Sequence, residues 1–442
     1  MSSLPLGPLV AFYGDDFTGS AAVMEVLAFA GLDTVLFLDI PSEADLDCFA
    51  SARAIGIAGI ARSQGTDWLD NSLPPIFAAL DSLGAPLVHY KVCSTFDSSP
   101  TIGSIGRAIE RAQDYWGGWH PLLVAAPVMQ RYQAFGQLFA NAGSEVFRLD
   151  RHPVMRRHPT TPMDEADVRV HLARQTELPV GLISVADWRR DRGSDALVRE
   201  TGAGCRILAF DAIDEADMEA AGALIWQHRG ERIFAVGSQG VEYALVAHWR
   251  ASGDLPSVSP PTSAGRHDRI IAVSGSVSAT TAAQIDWAAV NGFAPISLDA
   301  ETLLRDDPSA TINSALKALD AGHSPLIHSA RGPDDPNVAA IQRLGRPDSA
   351  SRIGAMLGDI LADLIARTGL KRAVISGGDT SGQAAQKLGV YAFTALAPTI
   401  AGAALLKAHR RDGTTLELAL KGGQMGTEDY FGWIRDGGGP RN

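Results

Sequence analysis

Cysteine is scarce in this 442-residue chain: Cys48, Cys93 and Cys205 stand singly. There is no CxxC pair and no Cys/His cluster at zinc spacing, which argues against a disulfide framework or a structural zinc. Charge is also sparse, at 20% of residues, which argues against a disordered chain or a coiled coil. Basic residues are outnumbered 38 to 50, for a formal net charge of −12. Broad nucleic-acid binding and an anionic membrane surface are therefore poor candidates for the main partner. A local basic pocket for a small anion is still allowed. No apolar run reaches the roughly 18 residues a membrane helix needs. The start, Met1-Ser2-Ser3-Leu4-Pro5, places no basic segment ahead of an apolar one. The expectation is a soluble, cytoplasmic protein. Neither GxxxxGK followed by Ser or Thr, nor GxGxxG, occurs, so P-loop and standard dinucleotide fingerprints are missing.

Glycine is abundant, at 45 residues, and 46% of the chain is hydrophobic. That suits an α/β enzyme with many tight strand–helix turns. The length calls for two domains. Short apolar runs at residues 9–13, 35–38, 54–58, 86–92, 122–127, 181–184, 206–210 and 233–237 read as buried parallel strands. Helical stretches lie between them, including 74–83, 102–116, 165–175 and 215–228. The alternation breaks at residues 251–268, rich in Pro, Gly and Ser, which reads as a linker. A second series follows, with strands at 270–273, 295–298, 325–328, 373–375, 391–395 and 415–420. The expected organisation is a domain over 1–250, a linker over 251–268 and a domain over 269–442. The fold class is α/β: two domains, each a mainly parallel sheet flanked by helices, with the active site in the interdomain cleft.

Chemistry concentrates at the turns after strands, where α/β folds place ligands. Gly14-Asp15-Asp16-Phe17-Thr18-Gly19 follows the first strand. A helix cap would explain one of its carboxylates but not both. Lys91 ends an otherwise apolar strand, where an unpaired lysine is unusual. It either snorkels or meets an anionic substrate. Residues 151–163 hold Arg151, Arg156, Arg157, His152 and His158 among prolines. That is either a solvated loop or a carboxylate clamp, since guanidinium forks match carboxylates. In the second half, Ser274-Gly275-Ser276, Gly377-Gly378-Asp379-Thr380-Ser381-Gly382 and Lys421-Gly422-Gly423-Gln424-Met425-Gly426 form three small-residue turns. Helix N-termini behind such turns attract phosphate, and three converging turns make a better nucleotide site than one.

Taken together and in order, these stretches resemble the motifs of the four-carbon acid sugar kinase family: the Asp15-Asp16-Phe17-Thr18-Gly19 signature, Tyr90-Lys91 with Cys93 to Asp97, His158-Pro159 with Thr161-Pro162-Met163, and the three C-terminal turns. The resemblance spans nearly the whole chain. It implies an N-terminal domain that binds the acid sugar and a C-terminal domain that binds ATP. The reaction it implies is transfer of the γ-phosphoryl to a terminal hydroxyl of a sugar acid such as 3-oxo-tetronate, D-threonate or D-erythronate. By motif, Asp15, Lys91, Arg157 and His158 are implied substrate contacts. Ser274, Ser276, Gly377, Gly378, Asp379, Thr380 and Gly423 are implied nucleotide contacts. Asp16 and Asp379 are the candidate catalytic groups, with Asp379 also the candidate ligand of Mg²⁺. The sequence departs from the family at Lys421-Gly422-Gly423-Gln424-Met425-Gly426, where Lys-Ser-Gly-Asn-Phe-Gly is common, and at Asp379, where some members have Glu. These departures suggest a subgroup and leave the sugar acid open, a branched 3-oxo acid such as 3-oxo-isoapionate included. A homodimer is allowed. Two rival readings are a nucleotide-dependent sugar-acid oxidoreductase, disfavoured by the missing GxGxxG, and a non-catalytic sugar-acid sensor.

Overall fold

The computed structural model describes residues 4–343 and 349–441, with the backbone alone at 350, 378–381 and 383. The chain divides into two compact units, Met1–Val258 and Ser259–Asn442. Among the described residues no helix is long and apolar enough to cross a membrane.

The first unit contains β1 (Val10–Gly14), β2 (Thr34–Phe37), β3 (Ala54–Ala58), β4 (Leu87–Lys91) and β5 (His120–Leu123). Next come β6 (Arg131–Ala134), β7 (Gln137–Ala142), β8 (Glu145–Arg148), β9 (Val180–Ile183), β10 (Ile207–Phe210) and β11 (Ile233–Gly237). Eight of these form a sheet in the order β2-β3-β1-β4-β11-β5-β10-β9, and every pairing in it is parallel. β1 is buried throughout, as a strand covered on both faces must be, which is why it reads as an unbroken apolar run.

Two features depart from the sequence expectation. The helix expected from residue 74 runs from Thr66 to Ser82, straight through Pro74 and Pro75. Leu69, Leu73, Phe77 and Leu80, spaced by three or four, are fully buried along its core face. Their burial outweighs the missing N–H groups and the steric penalty of the prolines. The other feature is an antiparallel sheet, β6-β7-β8, in a region read only as a loop. Phe135 and Gly136 turn β6 into β7 with φ of 51° and 81°, the two left-handed residues of a type I′ hairpin. The buried Asp211 carboxylate holds their N–H groups, at 2.5 Å and 2.9 Å. A distant side chain, not the usual Asn-Gly pair, stabilises this turn, so the local sequence carries little hairpin signal.

The second unit contains β12 (Ile271–Ser274), β13 (Phe293–Ser297), β14 (Ser324–His328), β15 (Arg372–Ser376), β16 (Val390–Ala397), β17 (Leu405–Arg410) and β18 (Thr415–Lys421). Their order is β13-β14-β12-β15-β18-β17-β16. The first five are parallel, while β17 pairs antiparallel with β18 and with β16. The sequence reading did not resolve β17.

Each unit opens in the same way. Its first strand is flanked on one side by the third strand of the series and on the other by the fourth, giving β3-β1-β4 and β14-β12-β15. The direction of winding reverses between β1 and β4, and again between β12 and β15. Such switch points open a crevice at the strand C-termini, where ligands bind in open α/β sheets.

Candidate active site

At the first switch point Gly14 lies in register with Lys91, and Lys91 with Gly237. Asp15 continues β1 past the strand end; its N–H donates to the Lys91 carbonyl at 2.9 Å. Asp16 then caps the helix Phe17–Phe29, its Oδ1 accepting from Gly19 N–H at 2.9 Å. Gly14 is required for this entry: a Cβ there would lie 2.0 Å from Ser20 Oγ in the first helical turn.

Asp15 and Lys91 are each 2% exposed. Arg62, from the turn after β3, joins the two carboxylates. Its Nη2 donates to Asp15 Oδ1 at 2.6 Å and to Asp16 Oδ1 at 2.7 Å, and its Nε to Asp15 Oδ2 at 3.2 Å. Burial pushes the Asp15 carboxyl above its ordinary range, against the pull of Arg62. Burial also works against the Arg62 charge, but the carboxylates outweigh it and hold the guanidinium well above its usual range. Lys91 Nζ donates to the Val92 carbonyl at 2.6 Å. Asp15, Asp16, Arg62 and Lys91 thus form one polar cluster at a strand-end crevice, with carboxylates suited to hydroxyls and cations suited to an anion.

Gly19 marks how tightly the cluster is packed. A Cβ there would stand 2.5 Å from Asp16 Oδ1 and 2.9 Å from Lys91 Nζ. Gly19→Ala should keep or raise helix stability, alanine being the better helix former by about 1 kcal/mol. It should lower kcat/KM for the sugar acid about tenfold, by displacing the two groups. Unchanged steady-state kinetics in a folded variant would remove Asp16 and Lys91 from the site.

Arg157 and His158 are not bonded directly into this cluster among the described residues. Arg157 is exposed and ends the short 3-10 turn Met155–Arg157. Its guanidinium makes no hydrogen bond or ion pair among the described residues. His158 Nδ1 accepts from Thr161 N–H at 3.1 Å and so braces its own loop. Neither is hydrogen-bonded or ion-paired to Asp15, Asp16, Arg62 or Lys91 among the described residues.

At the second switch point Ser274, Ser376 and Lys421 lie side by side at the ends of β12, β15 and β18. Ser274 Oγ accepts from Ser276 N–H at 3.4 Å. The Gly423 carbonyl accepts from Ser278 Oγ at 2.5 Å and from Thr281 Oγ1 at 2.7 Å, while Thr281 Oγ1 and Ser276 Oγ lie 3.1 Å apart. A Cβ on Gly423 would lie 2.3 Å from Ser276 Oγ, so only glycine lets these two turns touch. Gly377, at φ 126°, occupies a conformation that favours glycine and precedes the helix Gly378–Lys387. The hydroxyl of Ser376 is fully buried and has no hydrogen-bond partner among the described residues. A glycine cradle at a helix N-terminus with an orphaned buried hydroxyl fits a phosphate group.

Gly378 is described in its backbone alone, and the side chains of Asp379 and Thr380 lie outside the described residues. Among the described residues no three His, Cys, Asp or Glu side chains gather as a metal site.

Sequence reasoning missed Arg62 and did not single out Ser278, Thr281 or Ser376. Arg62 had one usable signal: it follows a strand end by four residues, and therefore sits at the same sheet edge as Asp15.

Known proteins with this architecture supply the rest. Residues 10–245 match a family model described as a sugar-binding N-terminal domain, and residues 271–431 one described as a nucleotide-binding C-terminal domain. The chain is 44% identical to a 3-oxo-isoapionate kinase of Paraburkholderia graminis, covering 98% of this chain and 95% of that protein. It is 32% identical to a 3-oxo-tetronate kinase of Methylobacterium radiotolerans, with 96% and 97% covered. The crystal structure of Haemophilus influenzae protein HI1011 superposes with a TM-score of 0.75 at 25% identity, covering 96% of this chain and 99% of that one. Fold and matches together define a sugar-acid kinase with a nucleotide-binding domain. The chain belongs to the four-carbon acid sugar kinase family.

Proposed function

We propose that this kinase transfers the γ-phosphoryl of ATP to the terminal hydroxyl of a four-carbon or branched 3-oxo sugar acid. The observation that carries the reading is the Asp15–Asp16–Arg62–Lys91 cluster, which offers hydroxyl acceptors and a buried cation at one strand-end crevice. The relative named a 3-oxo-isoapionate kinase favours a branched acid over a linear one.

Phosphoryl transfer is mostly positioning and charge neutralisation. Asp15 holds substrate hydroxyls, and Lys91 and Arg157 bind the substrate carboxylate, with His158 shaping the loop that carries Arg157. Asp16 has Oδ1 tied to Arg62 and Gly19. Its Oδ2, which makes no hydrogen bond among the described residues, orients the terminal hydroxyl and takes its proton. A bond forms from that oxygen to the γ-phosphorus as the bond from phosphorus to the ADP oxygen breaks. Ser274, Ser276, Gly377, Gly378, Thr380 and Gly423 hold the nucleotide phosphates. Magnesium bound with the nucleotide would neutralise phosphate charge, with Asp379 serving it directly or through water.

The test is ADP release with ATP and magnesium across a panel of 3-oxo-isoapionate, 3-oxo-tetronate, D-threonate and D-erythronate. We expect turnover with at least one 3-oxo acid, highest with the branched one. Turnover with none of the four would sink the reading. A preference for a linear acid would overturn the branched assignment alone.

A further inference from the structure

We propose that Lys421 is the fixed cation of the nucleotide site, its ammonium holding phosphate oxygens of the bound nucleotide with the Ser376 hydroxyl beside it. The inference rests on the ATP-dependent reading above and names a residue that reading did not use.

Lys421 is the last residue of β18 and is 1% exposed. Among the described residues its Nζ is hydrogen-bonded only to neutral oxygens: Gly422 O at 3.2 Å, Thr281 Oγ1 at 3.3 Å and Gly423 O at 3.5 Å. The Tyr430 ring centroid lies 5.8 Å away. These contacts are long for an ammonium, whose charge-assisted bonds run near 2.7–2.9 Å. No carboxylate pairs with it among the described residues. Arg372, another buried cation of this unit, is built differently: it is held by Glu417 at 2.6 Å and 2.7 Å.

A buried charge without a counter-charge is strongly unfavourable, and apolar replacements at such positions are often stabilising. Lys421 therefore makes no sense as a stabilising element by itself. It makes sense where an anion completes it. The surroundings identify the anion. Lys421 is in register with Ser376, and Ser376 with Ser274, so the three side chains leave the sheet on one face at the switch point. The Ser376 hydroxyl is a fully buried donor without a partner among the described residues. The Gly423 carbonyl, which would repel a phosphate, is already occupied by Ser278 and Thr281. Together these supply an ammonium, a free hydroxyl and a helix N-terminus, the donor set of a phosphate site.

Burial pulls Lys421 down to about 8. Of the elements around it, Tyr430 presents a phenol ring from the C-terminal helix. Thr281 and Ser376 present only hydroxyls, and no Asp, Glu or His side chain is in hydrogen-bond or ion-pair contact with it among the described residues. Its folded value is lowered, so the protonated form that holds phosphate is present below about pH 8 and lost above it. Nucleotide affinity should fall in the same range.

Isothermal titration of the full chain with magnesium and ATP, without sugar acid, tests this. Wild type should bind at about pH 7 and lose about tenfold or more in affinity by about pH 9.5. Lys421→Met should lose about tenfold or more at about pH 7, show no further loss at the higher pH, and keep or raise the melting temperature of the free protein. Wild-type affinity in the variant would overturn the proposal. So would a flat pH dependence in wild type, a result that needs no variant to fold. Wild type that binds no ATP at about pH 7 would instead sink the kinase-site reading on which the proposal depends.

Discussion

Arg62→Met will destabilise the protein by about 3–5 kcal/mol at neutral pH, the range for breaking a buried ion pair by removing one partner. Among the described residues Arg62 is the only cation in hydrogen-bond contact with Asp15, and Asp15 is 2% exposed. Methionine keeps much of the apolar stem and removes the charge. The penalty has a pH signature. Burial already raises the Asp15 carboxyl, and Arg62 is the main influence opposing it. Without Arg62 the folded value rises further. A carboxyl raised in the fold contributes stability that is present below its unfolded value, about 3.9, and lost as pH rises through the folded one. The gap between wild type and Arg62→Met in urea unfolding should therefore be small near pH 4 and full by about pH 7.5. Adding Asp15→Asn should recover part of the loss by removing the stranded charge, and the double-mutant cycle measures the coupling. A gap that stays constant with pH would mean that Arg62 supports the fold by packing, not by compensating Asp15.

This interaction also marks the limit of what the sequence conveys. Asp15, Asp16 and Lys91 stood out because their residue types are anomalous next to apolar strands. Arg62 lies in an ordinary polar turn, and its role exists only once β3 and β1 are adjacent and in register, Ala58 beside Gly14. The same holds in the second unit. Ser274 and Gly423 were legible as members of small-residue turns. Ser376 and Thr281 acquire meaning only when β12, β15 and β18 line up and the 423 carbonyl folds back onto the helix Ala279–Ala289. The parallel strands were easy to find because burial on both faces writes a continuous apolar run. The hairpin at β6-β7-β8 and the strand β17 were not. Their stabilisation is non-local, from the Asp211 carboxylate in one case and from antiparallel neighbours in the other. The helix through Pro74 was misplaced because a proline is locally a helix start or stop, and only the buried stripe from Leu69 to Leu80 overrides that. Local chemistry thus marks the strand-end turns, while tertiary register decides which side chains meet there.

Asp16→Asn should lower kcat by about 10²–10⁴-fold, the usual contribution of a positioned general base, and leave stability nearly unchanged. The geometry allows the two effects to be separated. Oδ1 serves the fold: it caps the helix Phe17–Phe29 through Gly19 and accepts from Arg62. An asparagine carbonyl can make both bonds, and Asn caps helices about as well as Asp. Oδ2 serves the reaction. In the variant its place is taken by an NH₂ group, which donates and cannot accept the proton of the attacking hydroxyl. The bond of Asp16 to Arg62 leaves Oδ2 free to orient the hydroxyl. In a loose phosphoryl-transfer transition state the proton leaves late, and orienting the nucleophile matters more than basicity. KM for the sugar acid should change little, since Asp15 and Lys91 hold the substrate in this reading. The rival base is Asp379. If Asp16→Asn keeps substantial turnover while Asp379→Asn does not, the proton goes to the nucleotide-binding unit and Asp16 is reduced to a helix cap. If both variants collapse kcat, magnesium titration separates them: added metal should partly restore Asp379→Asn, whose defect is in holding the ion, and should do nothing for Asp16→Asn.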